Sequence, residues 1–272
     1  ANKIIGGINN SAGGVGASVL GGNNNCASGI NSAILGGCCN TSNGGNSTIM
    51  GGTANYTNAA GNIIGGGSGN IATGSNDGIL AGQNNTAAGG RAIVGSGCGN
   101  TASGLQSVVV GGACNIASSY SSSVVGGGHN TASGSCSFVG GGNRNRALEV
   151  QSSVVGGMSG TASGGKSFIG GGFTNVASGS AANVVGGFCN TASGNFSTVT
   201  GGFSSKATGK GSIVGGNSNQ ATGVDSFIGG GKDNKASGNE SNILGGNEND
   251  VCGGDSTIVG GIVHAVSGSF SF

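Results

Sequence analysis

Apolar positions in this chain recur every fifteen residues rather than every two or every three to four. A β-branched residue, always Ile or Val, marks each recurrence, from Ile4, Val19 and Ile34 through Val199, Ile213 and Ile228 to Ile258. Six places later stands a column of Asn, with Asn40, Asn100, Asn130, Asn190 and Asn234 as typical members. Gly160, Ser205 and His264 replace Asn in three repeats. Three places before the Asn the residue is always Gly, from Gly7 to Gly261, and two places after it Ala is the rule. The frame, close to Ile/Val-x-Gly-Gly-x-x-Asn-x-Ala-Ser-Gly, occurs eighteen times, with one step of 14 between Ser205 and Asn219. Self-similarity at a fixed short period is the mark of a stack of like units.

Fifteen residues are too few for a helical hairpin, and each Gly opposes helix by up to ~1 kcal/mol. Two short strands joined by two tight bends fit. The β-branched segment before Gly-Gly suits a strand. The Gly pair and the Ser-Gly after Ala suit bends with positive φ. The sequence therefore predicts an all-β, parallel β-solenoid of 18 turns, with residues 1–272 read as a single repeat domain. At about 4.8 Å per parallel strand the rod would be roughly 85 Å long. The Ile/Val and Ala columns are expected inside. The Asn column is expected to form an amide ladder, since stacked Asn side chains hydrogen-bond along such assemblies.

The other strand face is also apolar. Five places before the Asn lie Leu35, Val110, Val125, Val155 and Val185, among others. Where Gly takes that place, the residue two earlier is bulky: Ile63 with Gly65, Ile93 with Gly95, Phe138 with Gly140, Phe168 with Gly170, Phe227 with Gly229. Such an exchange is volume conservation. A strand apolar on both faces is covered on both, and a thin coil covers only one. The face bearing Leu35, Val110, Val125, Phe138, Val155, Phe168, Val185 and Phe227 is expected to pack against other copies of the chain.

Composition by itself suggests something else. Gly makes up 67 of 272 residues, which in a weakly charged chain reads as disorder. A fixed β-branched column has no purpose in a disordered chain. Pro is absent, in keeping with a backbone paired along its length, because Pro deletes a ladder N–H.

Segments such as Ala192 to Gly202 (Ala-Ser-Gly-Asn-Phe-Ser-Thr-Val-Thr-Gly-Gly) and Ala221 to Gly229 (Ala-Thr-Gly-Val-Asp-Ser-Phe-Ile-Gly) resemble the head repeats of trimeric autotransporter adhesins, repeats also seen in phage and giant-virus fibre proteins. The resemblance covers essentially the whole chain. It implies a left-handed β-roll, three of which pack around a common axis as a homotrimeric rod. This chain differs in its longer turn, its doubled Gly and its Asn column, and it shows no neck, stalk or anchor.

Candidate chemistry is sparse. Nine basic and eight acidic residues are scattered, with net charge +1. No column forms the basic stripe that nucleic-acid binding requires. Arg144, Arg146 and Glu149 read as a decorated bend, and His129 and His264 are far apart. No acidic position recurs turn after turn, as calcium-binding repeats require. The eight Cys form no C-x-x-C; Cys38 and Cys39 are adjacent, and Cys39, Cys114 and Cys189 share a column five turns apart. Free thiols are expected. No catalytic residue, cofactor or metal site is expected, nor is direct membrane insertion.

The expected function is a structural or adhesive extracellular fibre on a virion, phage tail or cell surface. Its partners would be itself and a host surface receptor or glycan. An alternative is an ice- or crystal-binding solenoid, motivated by Thr-Ala-Ser at Thr101–Ser103, Thr131–Ser133, Thr161–Ser163 and Thr191–Ser193. A third reading, a fibre-borne polysaccharide depolymerase, needs paired carboxylates in a groove, which the sequence does not single out.

Overall fold

The computed structural model describes residues 2–271. The chain divides into two units, Ala1–Cys136 and Ser137–Phe272. Each unit is a parallel β-solenoid of nine turns, and the described residues contain no helix. Every turn contributes one two-residue strand to each of two sheets. In the first unit these run from β1 (Lys3–Ile4) to β18 (Thr131–Ala132), and in the second from β19 (Phe138–Val139) to β36 (Ala265–Val266).

The repeat sets the register. Val94 pairs with Val109 and Val109 with Val124 in one sheet. Thr101 pairs with Ile116 and Ala102 with Ala117 in the other. Both sheets are parallel because each strand meets its equivalent one turn on. The alternation of a strand then decides what is inside. Val109, Val124, Val154, Val184 and Val199 are fully buried, as are Ala102, Ala117, Ala162 and Ala192. Two further columns point inward and are polar: the Asn column, and a Ser column seven places after it that includes Ser107, Ser122, Ser152 and Ser212. The core is therefore thin, half aliphatic and half polar.

The invariant second Gly of each pair has φ between 82° and 119° in every turn. A Cβ on Gly52 would overlap the Gly67 carbonyl oxygen and lie 2.6 Å from Asn55 Nδ2. Positive φ and a close approach by the next turn thus coincide at one position. The first Gly differs: a Cβ on Gly21, Gly36 or Gly51 would meet nothing within 4 Å. It faces open space, because the chain has already begun to turn.

The second bend corrects the expectation for Ser-Gly. That Gly is not left-handed. It is small because a Cβ on Gly29, Gly104 or Gly164 would run into the backbone of the next turn. The left-handed residue lies two places later and is usually not Gly: Asn31 (φ 53°), Gln106 (φ 60°), Lys166 (φ 59°). A third left-handed place precedes the Asn, as at Cys39 (φ 59°) and Cys114 (φ 55°). Such conformations cost about 1–2 kcal/mol for most L-residues. They are held by hydrogen bonds in both directions along the stack. Cys39 N–H donates to Asn23 O, and Cys38 N–H donates to Gly52 O, both at 2.9 Å.

The turn of 14 residues brings another correction. The sequence frame places Ile213 in the inner column and Val214 outside. In the structure Val199 pairs with Val214, and Val214 with Ile228. Val214 is fully buried, while Ile213 is on the outer face. The shortening falls between Val214 and Asn217, since Phe203 already bridges to Asn217. Counting back from Asn219 crosses the missing residue and slips the strand by one, which reverses both faces.

Candidate interaction surface

The Asn column is built as a clamp on the backbone. Asn100 Oδ1 accepts the Asn115 N–H at 3.0 Å, while Asn100 Nδ2 donates to Ser96 O at 3.0 Å and Gly112 O at 2.9 Å. Asn40, Asn130, Asn190 and Asn234 are likewise buried, and each donates to the first residue of its Gly pair. Direct amide-to-amide bonds are few, among them Asn40 Nδ2 to Asn25 Oδ1 at 3.1 Å and Asn249 to Asn234 at 3.0 Å. The column holds bends shut rather than running as an amide chain. Ser205 keeps part of this role, donating to Gly216 O at 2.8 Å.

Asp77 stands in the Ser column and is almost fully buried. Its carboxylate accepts Ala92 N–H at 2.8 Å and Gly74 N–H at 2.7 Å. Burial raises its pKa, and backbone N–H groups of Ala92, Gly74 and Gly90 pull it partly back down.

The outer face of the first sheet carries an apolar row in both units, beside a second row in which Ser18, Thr48, Ser153, Asn183 and Thr198 interrupt the apolar residues. In the first unit Leu35, Val110 and Val125 are exposed, Val110 by 51%. In the second unit Phe138, Val155 and Val185 are exposed, Val185 by 56%. Phe168 and Phe227 are half-buried. The reason lies within their own turns: a Cβ on Gly170 would sit 3.6 Å from Phe168 Cε1, and one on Gly229 would sit 3.3 Å from Phe227 Cε1. Each ring lies over the Gly two residues later. Part of the size exchange is thus satisfied within one chain, and its effect is to level the outer face. The corrected register adds a sixth pair, Ile213 with Gly215.

One turn inverts the exchange. Gly78 takes the bulky place and Leu80 the other, and a Cβ on Gly78 would meet nothing within 4 Å. Met50, Ile63, Ile79, Leu80 and Ile93 surround it in an apolar depression of roughly 400 Å³.

The outer face of the second sheet is different. Thr86, Thr101 and Thr131 share a column with Tyr56, Ile71 and Ile116 in the first unit. Thr161 and Thr191 share it with Arg146, Val176, Lys206, Lys235 and Asp250 in the second. The hydroxyl array is interrupted, as a regular lattice-matching face is not.

One feature of the second unit does not stand out in the sequence. Phe173, Phe188 and Phe203 stack in the bend two places before the Asn, with ring centroids 4.9 and 5.1 Å apart and nearly parallel planes. Their spacing of fifteen is visible in the sequence, but in a column of mixed residues. Each ring remains partly exposed, by 41–48%. Asp225, Glu240 and Asp255 recur in three successive turns of another bend column, which corrects the expectation that no acidic position recurs, and they line a depression with Asn242. Among the described residues, no group of three or more His, Cys, Asp or Glu side chains is placed to hold a metal ion, and no helix is long and apolar enough to cross a membrane. No protein-family model and no curated protein matches the chain.

Proposed function

We propose that this chain is a structural, adhesive fibre subunit whose copies associate through the apolar outer face of the first sheet. The proposed assembly is a homotrimer of left-handed coils, displayed outside the cell on a virion, phage tail or cell surface. It would contact a host receptor or glycan through its remaining faces. The observation that carries this reading is the contrast between the two outer faces. One carries exposed Leu, Val, Ile and Phe with Ser, Thr and Asn between them; the other mixes Thr and charged residues with fewer apolar ones, Ile71, Ile116 and Val176. Rows of exposed apolar side chains at strand spacing exceed what a monomer usually leaves in water. If each turn buries about 50 Å² of apolar area, nine turns contribute roughly 11 kcal/mol at ~25 cal/mol per Å².

Electron microscopy of the purified protein tests the fibre reading. Uniform elongated particles, wider than one coil and decorated by soluble host glycans or receptor ectodomains, are expected. Single coils, or compact particles that bind no host surface component, would overturn it. A thermal-hysteresis assay addresses the ice-binding alternative, for which no activity is expected.

A further inference from the structure

Five of the eight cysteines occupy equivalent bend places on several turns. Cys38 and Cys98 lie two places before the Asn, and Cys39, Cys114 and Cys189 lie one place before it. The backbone there turns two adjacent side chains toward each other whatever their type. Lys232 Nζ lies 3.5 Å from an Asp233 carboxylate oxygen. Ser218 donates its hydroxyl to Asn217 at 2.9 Å, and Asn247 donates to Glu248 at 3.4 Å. The cause is the left-handed second residue, with φ of 54° at Ser218 and 57° at Glu248.

At Cys38 and Cys39 the same bend produces two thiols with their sulfurs 2.9 Å apart. The loop beneath them is fixed by the hydrogen bonds to Asn23 and Gly52 described above, and by Ala54 N–H on Cys38 O at 2.9 Å. Asn40, the next residue, is clamped by its own side-chain bonds to Gly36 and Gly52. Cys38 is partly exposed and Cys39 exposed. No other pair of sulfurs among the described residues is in hydrogen-bond contact.

We propose that Cys38 and Cys39 form a reversible redox-modification site, closing to a vicinal disulfide by exchange with a low-molecular-weight disulfide, RSSR. Cys39, the more exposed thiol, attacks first. Its thiolate displaces RS⁻ from RSSR, giving a Cys39 mixed disulfide, and the departing thiolate takes up the proton that Cys39 lost. The Cys38 sulfur then gives up its proton and attacks the Cys39 sulfur. The S–S bond between Cys39 and RS breaks, and the departing RS⁻ takes up the Cys38 proton and leaves as a second RSH. The two cysteines lose two electrons and two protons in all, and RSSR is reduced to two RSH. The hydrogen bond with Cys39, then burial, pushes the Cys38 thiol above its ordinary pKa. A raised pKa leaves less Cys38 thiolate for the first attack.

Two physical features set this site apart from the other cysteines. The second sulfur is already in contact, so closure is intramolecular and outruns attack by another RSSR. Adjacent Cα atoms are fixed at about 3.8 Å, below the roughly 4.4–6.8 Å span of ordinary bridges. The ring is therefore strained, and strained disulfides are the labile ones.

The test treats the full chain with oxidised glutathione, quenches in acid, alkylates the remaining thiols and reads peptide masses. The peptide holding Cys38 and Cys39 is expected two hydrogen masses lighter, with neither glutathione nor alkyl group, and excess reduced glutathione should reopen it. Cys39→Asn and Cys38→Thr place residues already found in those columns, at Asn24 and Thr53. Each variant should trap glutathione on its remaining thiol. Glutathione or alkyl groups on both cysteines of the unaltered chain would overturn the proposal. So would a bridge from either to another cysteine, or a ring that resists reduced glutathione.

Discussion

At the scale of the residue, the two Gly of each pair perform different tasks. Gly52 has φ +90° and is crowded by Gly67, whereas Gly51 has open space at its Cβ position. Gly52→Ala is expected to cost about 1–3 kcal/mol, the range for a strained backbone position. Gly51→Ala should be neutral or slightly stabilising. Thermal melts of the two variants check this, and equal losses would contradict it. Asn100→Ala should cost about 2–4 kcal/mol, because it strands backbone groups of Ser96, Gly112 and Asn115. Asn100→Ser should cost less, following the Ser205 pattern. Asp77 makes a pH prediction. Its pKa is raised on folding, so the folded state holds the proton more tightly and the carboxyl's contribution is greatest below the unfolded pKa. That contribution is lost as pH rises through the raised folded value. The melting temperature of the unaltered chain relative to Asp77→Ser should therefore be higher at acid pH than at neutral pH; the reverse trend would contradict the assignment. Positive φ at the invariant Gly could be read in the sequence, since a place that only Gly fills in every turn needs what only Gly supplies. The left-handed Cys39, Gln106 and Lys166 could not, because their strain is held by hydrogen bonds from other turns.

At the scale of the element, the strands are only two residues long, and no single strand would be stable alone. Pairing with the turns above and below holds each one, so a strand's neighbours decide what it can carry. The outer places show this. Phe168 lies over Gly170, and a Cβ on Gly170 would overlap the Val185 carbonyl oxygen. Gly170→Val alone should lower stability by about 1–3 kcal/mol through overpacking. Adding Phe168→Ser removes only a ring in ordinary contact and leaves the Val185 carbonyl in the way, so it should recover little of the loss. Denaturation of both single variants and the double variant measures this, and a double variant as stable as the unaltered chain would contradict it. Strand positions, sheet count and parallel register all follow from the period. One strand does not: a count from the Asn cannot tell on which side of the bend a residue is missing. Only the pairing of Val214 with Val199 and Ile228 locates the gap.

At the scale of the whole molecule, the central question is what covers the apolar face. The Ile/Val and Ala columns, the Gly-Gly bend and the apolar row were legible because each repeats at one period; the buried Ser column and the left-handed places of the other bends were not. The Phe stack and the convergent Cys38–Cys39 pair were not, because they depend on bend geometry that the period does not encode. Sedimentation equilibrium on the 25.2 kDa chain, from micromolar concentration downward, is the most direct measurement. A single species of three chain masses that persists on dilution is predicted. Val110→Asp with Val185→Asp should yield monomer with an unchanged β spectrum, since both side chains lie outside the core. A soluble monomer of the unaltered chain throughout that range would contradict assembly through this face.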